Sequence, residues 1–408
     1  LSLITCASFA CSFTSSITRI FSTPVFMSLI GPDPTPHDRN AVLYHAVPTL
    51  ERRLGDRRVK FSNFLFPESR DPARDGQVID ETLREARLTD ELGFEVIWLA
   101  EHHFDGICAY VDPISFAASL AVATQRAKIG FAVAQMSLHH PIRMAEQLAL
   151  IDNISKGRLV VGLGRGTAYN IYDYQGYGLD HTEAQARFEE AEAIMFQAWR
   201  GKQFEHHGRF WDIKVPMLRP TPYTKPHPYV IRSASSEEGM LHIARQGRPF
   251  MMNVQSNQVT RHRMDLYRRT LRELGMDEAA VARNVEQCWV WRNVFVAATD
   301  TEAEHIAIPA FEAMHEHRIA MRKRVYEEQG VSIVPMPAPG AAPAARMVVE
   351  HSLIYGSPAT VAEKLAQVAT IGVGGVIMQF RLGPMSYDDV AQSLTLFMGK
   401  VAPAIANV

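Results

Sequence analysis

Between Phe94 and Tyr174 the chain repeats one pattern three times: a short apolar run ending in residues that can do chemistry. Phe94–Ala100 runs into Glu101-His102-His103, Lys128–Ala134 into Ser137-Leu138-His139-His140, and Arg158–Gly164 into Arg165. Helix-like segments separate the runs. Near-continuous Val/Ile/Leu runs are typical of parallel strands buried on both faces, and parallel strands need crossover helices. In a (β/α)8 barrel the active site lies at the C-terminal ends of the strands. Polar groups placed there three times in succession read as a site, not as core.

The remainder of the chain extends the pattern. Val59–Phe66 reads as the first strand, Val78–Leu92 as a helix closed by Gly93, and Asp112-Pro113 and His140-Pro141 as helix starts. A Tyr/Gly-rich loop, Thr167–Asp180, precedes a helix over Glu183–Trp199. Gly201–His227 reads as an irregular insertion over the barrel rim. Strands five to eight are expected at Pro228–Ser233, Pro249–Val254, Val285–Ala297 and Gly375–Phe380. Helices are expected from Ser235, over Gln258–Leu274, Asp300–Gln329 and Pro358–Ile371, and at the close over Tyr387–Val401. The Ala/Pro stretch Val334–Arg346 is too poor in hydrophobes for a core element and sits where a mobile lid would hang. The fold class is α/β: a (β/α)8 TIM barrel with loop insertions over residues 59–408.

Composition narrows the compartment and partners. A formal net charge of −2 in 408 residues gives no general pull toward nucleic acid or anionic membrane. No apolar stretch is long enough to span a bilayer. Cys6, Cys11, Cys108 and Cys288 show no metal-ligand spacing, and a reducing cytoplasm is expected. Residues 1–58 form an N-terminal extension, expected to be a disordered leader or to begin upstream of the true start, with Met27 as an internal start. Transit-peptide and export features are weak in it.

Several side chains invite two readings. Adjacent histidines on an extended chain point to opposite faces, so His102 and His103 cannot share one metal. The plain alternative has His103 capping a turn while Glu101 pairs nearby. Arg165 lies between Gly164 and Gly166 at a strand end, where its forked donors suit a phosphate; the alternative is a bridge to a loop acid. A dinucleotide fingerprint is disfavoured, because Gly166 opens no glycine-rich helix start. Arg187 on its own reads as a surface arginine paired with Glu183 or Glu190. Ser233-Ala234-Ser235-Ser236 joins a strand end to a helix start, which fits either anion binding or simple capping. Together with the arginines, phosphate is the better reading. Phe64, Phe66, Met251, Met252, Asn253, Gln379 and Arg381 are candidates to line a substrate cavity, some of them as core only.

WLAEHHFD, LHHPIRMAEQLALIDNISKGRLVVGLGRG and QFRLGPMS resemble the bacterial luciferase-like flavin monooxygenases, from about Val59 to Pro403. The resemblance implies reduced FMN as cofactor, with its phosphate on Arg165, Arg187, Ser233 and Ser236. It places a non-proline cis peptide at Ala132-Val133 beneath the isoalloxazine ring and turns His102, the expected catalytic residue, toward the flavin. Gly164 takes the position of the family's reactive thiol, and Arg232 stands where luciferases carry an acid. It further implies dioxygen, a separate flavin reductase, a homodimer through helices one to three, and a small aldehyde- or ketone-type substrate. Two alternatives share the fold: an oxidoreductase using the deazaflavin F420, and a non-catalytic flavin-binding subunit. Retention of the phosphate arginine counts against the last.

Overall fold

The computed structural model describes residues 59–166, 170–330 and 352–405. The N-terminal extension and Val334–Arg346 lie outside the described residues. In chain order the strands are β1 (Lys60–Leu65), β2 (Val96–Leu99), β3 (Lys128–Phe131), β4 (Ala134–Gln135), β5 (Leu159–Gly164) and β6 (Phe204–His207). They continue with β7 (Asp212–Val215), β8 (Tyr229–Ala234), β9 (Phe250–Met252), β10 (Trp289–Val296), β11 (Leu353–Gly356) and β12 (Gly375–Gln379). The expected barrel is present. Eight strands close it in the order β1, β2, β3, β5, β8, β9, β10, β12, each pairing parallel and β12 returning to β1.

The first helices on the outside are α1 (Asp75–Leu92), α2 (Pro113–Ala123), α3 (Pro141–Ser155), α4 (Ile171–Gly176) and α5 (Ala184–Trp199). They are followed by α6 (Glu237–Arg245), α7 (Asn257–Glu273), α8 (Glu278–Glu286) and α9 (Asp300–Gln329). Helices over Pro358–Ala369 and Tyr387–Leu396 complete the shell. Local chemistry sets their ends. Gly93 closes α1 at φ 88°, and the Asp112 carboxylate caps α2 by accepting from the N–H groups of Ile114 and Ser115. His140 occupies the N-cap position of α3 without a side-chain capping bond, so Pro141 at the first helical position sets that start.

Four expectations change. The insertion Gly201–His227 contains an antiparallel hairpin, β6 with β7, whose half-exposed, charged strands lack an apolar signature. The Tyr/Gly loop contains α4. Val285 lies in the last turn of α8, which the Asp277 cap starts, and strand seven therefore begins later, at Trp289. β11 pairs with the upper half of β10, and its four residues follow the Ala/Pro stretch too closely to stand out.

Inside the barrel, strand alternation points every second side chain inward. Phe64, Trp98, Val160, Ile231, Trp289 and Ile377 form this inner cluster. The Trp98 and Trp289 rings meet edge to face at 5.3 Å. Trp289 and Gly375 are the first residues of β10 and β12, so the Trp289 indole fills the end away from the site. Two missing side chains make room for them. A Cβ on Gly130 would lie 2.4 Å from Trp98 Cε3, and one on Gly375 2.3 Å from Trp289 Cε3. The Trp98 indole N–H donates to Ser62 Oγ at 2.8 Å, and Ser62 donates to the Val376 carbonyl. The buried indole is thereby satisfied.

Because Trp98 is fully buried and hydrogen-bonded, it cannot swing aside. Gly130→Ala is expected to destabilise the fold by about 3 kcal/mol, at the upper end of overpacking costs, and the urea unfolding midpoint measures the loss.

Candidate active site

At the end of β2 the alternation carries on past the strand. The His102 ring meets Phe66 edge to face at 5.1 Å, on the side of the inner cluster. Glu101 points the other way and is buried. It accepts from His103 Nε2 at 2.9 Å, from His139 Nε2 at 2.7 Å and from the Gln135 backbone N–H. Burial alone would raise this carboxyl. The charge on His139 and the bonds from His103, His139 and Gln135 outweigh it and bring the pKa to about 2. Burial likewise works to lower His139, but the Glu101 charge and bond win and its pKa is raised. His103 therefore does not cap a turn; it holds Glu101, with Tyr177 Oη 3.3 Å from its other nitrogen.

A second layer joins Glu101 to His102. Gln135 Nε2 donates to the Glu101 carbonyl at 3.1 Å and to Asp173 Oδ2 at 2.7 Å. Asn170 Nδ2 donates to the same Asp173 oxygen at 2.9 Å and stands 3.4 Å from His102 Nδ1. Burial pushes Asp173 up to about 6 despite those donors. Burial also lowers the His102 pKa; Arg318 lowers it further, against the opposite pull of Asp105 and Glu101. His102 is thus a neutral imidazole near neutrality, with an amide donor beside Nδ1.

Across the mouth, the Ala132-Val133 peptide is cis, where the resemblance placed it. A Cβ on Gly164 would lie 2.6 Å from Val133 Cγ2 and 3.0 Å from Ser233 Oγ, so these residues of three neighbouring strand ends converge. Gly166 follows at φ 73°, with Gln135 Oε1 where its Cβ would be. Arg165 is exposed, and its guanidinium has no acid partner among the described residues. Its carbonyl accepts from Tyr174 Oη at 2.6 Å. Arg187, on α5, donates from Nε to the Ser137 carbonyl at 3.3 Å and lies over the Phe210 and Trp211 rings at 4.9 and 5.0 Å. Ser236 caps α6 by accepting from the Gly239 N–H, and stays exposed along with Ser233.

A model of the luciferase-like monooxygenases matches residues 59–374. The chain belongs to that family. Among curated relatives, limonene 1,2-monooxygenase of Rhodococcus erythropolis is 31% identical over 41% of this chain and 43% of its own length. The oxygenase component of flavin-dependent trigonelline monooxygenase of Acinetobacter baylyi is 30% identical over 42% of this chain and 47% of its own length. The chain thus matches a little under half of each of these two relatives. Among solved structures, monooxygenase RslO1 of Streptomyces bottropensis superposes with a TM-score of 0.71 at 25% identity, covering 85% of this chain and 99% of that one. The oxygenating constituent of 3,6-diketocamphane monooxygenase of Pseudomonas putida, in complex with FMN, has a TM-score of 0.69 at 21% identity, covering 85% and 98%.

Within this luciferase-like chain, Arg232 leaves the site. It is buried and pairs with Glu192, and Arg248 completes the group at 3.0 Å from the same carboxylate. Burial would raise Glu192, yet Arg248 and Arg232 bring its pKa to about 2. Of the cavity candidates, Phe64, Phe66 and Met251 join the inner cluster, whereas Met252 packs in the outer shell and Asn253 is exposed. Arg381 does not line the cavity. β12 stops at Gln379, alternation no longer governs the next residues, and Arg381 turns out to Glu85 at 3.0 Å and Glu81 at 3.3 Å on α1. No cluster suited to a metal occurs among the described residues, and no described helix is long and apolar enough to cross a membrane. Sequence reasoning passed over Glu101, His139, Asn170 and Asp173 as a unit. The one signal was an acid at the end of an apolar run, where only a paired carboxylate is tolerated.

Glu101 contributes stability that is fully present above its unfolded value of 4.5 and lost as pH falls toward about 2. The contribution of His139 is fully present below 6.5 and lost as pH rises through its raised folded value. The urea midpoint is expected to be highest between roughly pH 5 and 6. Glu101→Gln should flatten both flanks of that profile.

Proposed function

We propose that the protein is the oxygenase of a two-component flavin monooxygenase that uses reduced FMN and dioxygen to oxidise a small organic substrate of the aldehyde or ketone type. The observation that carries this reading is the convergence of Val133, Gly164 and Ser233 beside Arg165, which is exposed and has no acid partner among the described residues. A phosphate needs forked donors and close backbone, and Gly164 leaves no side chain in the way. The mouth beneath is faced by Phe66, Ala132 and Val133, an apolar lining suited to a tricyclic ring. The residues present suit FMN: Arg165, Arg187, Ser233 and the α6 start at Ser236 would hold its phosphate, and Ala132-Val133 would support its ring.

Bound reduced FMN supplies the activation of dioxygen. The chain's own residues position and protect it. Asn170 beside Nδ1 favours the proton on His102 Nε2, so the imidazole holds a donor near the ring and can move a proton there. Helix α9 and α4 help exclude water: Tyr172 bonds Glu328, Arg324 lies 4.8 Å over the Tyr172 ring, and Gln175 donates to Gln329 at 3.0 Å. The name of the trigonelline relative, an oxygenase component, supports a separate reductase. Val122 and Leu150, exposed by 70% and 51% on α2 and α3, support a homodimer face there. Sedimentation of Leu150→Glu as a monomer would bear that out, and an unchanged dimer would refute it.

Arg165→Ala is expected to weaken reduced-FMN binding about 100-fold, the worth of a strong charge-assisted pair. His102→Ala should leave binding intact and lower turnover by at least about 100-fold. Anaerobic fluorescence titration with FMN and with the deazaflavin reads the first. Normal FMN binding by Arg165→Ala, or preference for the deazaflavin, would refute the assignment.

A further inference from the structure

In barrel order β3 faces β10 and β5 faces β12. The wall opposite the cis peptide and Arg165 is therefore made by β10 and β12, and two amides sit there side by side. Asn293 and Gln379 are register partners on these strands, about 4.8 Å apart. They share the inward parity of Trp289 and Trp291 on β10 and of Ile377 on β12. Both are buried, at 2% and 0% exposure.

Their orientation is set by the chain. Asn293 Nδ2 donates to the Ser352 carbonyl at 3.0 Å, and Gln379 Nε2 to the Arg381 carbonyl at 2.9 Å. Each amide must keep its nitrogen toward a backbone acceptor, which turns Asn293 Oδ1 and Gln379 Oε1 away from it. Neither oxygen has a donor among the described residues. The Trp291 indole N–H, one inward position before Asn293, also has no acceptor among the described residues. Phe64 packs against the Trp291 ring at 4.5 Å. Buried polar atoms are almost always paired, so unpaired acceptors on adjoining strands beside aromatic rings call for an outside donor.

We propose that Asn293 and Gln379 form the substrate's recognition subsite, accepting hydrogen bonds from a hydroxyl or N–H group on an otherwise apolar body that packs on Phe64 and Trp291. This rests on the monooxygenase reading only in assigning the opposite arc to the cofactor. It adds that the substrate carries a hydrogen-bond donor remote from the atom that is oxidised. A simple aldehyde or hydrocarbon would leave both oxygens unpaired, and the site would reject it in favour of a hydroxylated analogue.

Cyclohexanol and cyclohexyl methyl ether differ in the donor while both keep the oxygen. Titrated into the full chain with tryptophan fluorescence as readout, the alcohol should bind about tenfold tighter, the worth of a buried hydrogen bond. Gln379→Met and Asn293→Leu should each abolish that preference while keeping the affinity for the ether and for reduced FMN. Equal affinity for the two probes, binding of neither, or a preference that survives both substitutions overturns the proposal. Loss of FMN binding in either folded variant also overturns it, since the amides would then serve the cofactor. Should a variant fail to fold, the alcohol-to-ether ratio of the native chain still decides. If the native chain prefers the alcohol but does not hold reduced FMN, the monooxygenase reading fails and the subsite stands.

Discussion

A single buried carboxylate ties the mouth of the barrel together. Glu101 accepts from two imidazoles and a backbone amide, so the end of β2 is held to the turn that leads from β4 into α3. Removing one partner would leave a charge in a low-dielectric setting, which is far costlier than the bond itself is worth. The neighbouring residue then has little freedom. His102 faces the inner cluster because Glu101 is held to face out. Gln135 donates both to the Glu101 backbone and to Asp173, and thus carries the same constraint to α4.

The arginines near the mouth divide by environment. Arg232 and Arg248 are buried and share Glu192, so their charge is spent inside the protein. Arg187 is half spent, lying on aromatic faces with one donor on a backbone carbonyl. Arg165 is exposed and has no acid partner among the described residues. Of these four guanidiniums, the one at the glycine-flanked strand end is the one without an acid, ring or backbone-carbonyl contact among the described residues.

The barrel was legible from the apolar runs because parallel strands buried on both faces leave a strong, local trace. Asp300–Gln329 was recovered to the residue for a similar reason, since Thr299 and Gly330 mark its ends. The hairpin β6–β7 was not legible: each strand is four residues long, too short for its alternation to stand out, and Phe204–His207 has one apolar residue. Among candidate site residues, Arg165 and Ser233 stood out because glycine spacing and strand-end position are local features. The Glu101 network did not. The bonds from Gln135 and His139 to Glu101, and from Gln135 to Asp173, join residues 34 to 38 apart that meet only after the strands align. Arg381 misled because a two-residue period was extended past the end of its strand.

The closing order of the barrel also divides the molecule along the chain. Every residue assigned to the flavin, from His102 to Ser236, comes from the first part of the barrel, up to the turn after β8. The opposite wall comes from β10 and β12, more than fifty residues further on. Inheritance can therefore treat the two arcs separately. On the proposed reading, substitutions in the later strands would alter which molecule is accepted without touching the earlier arc.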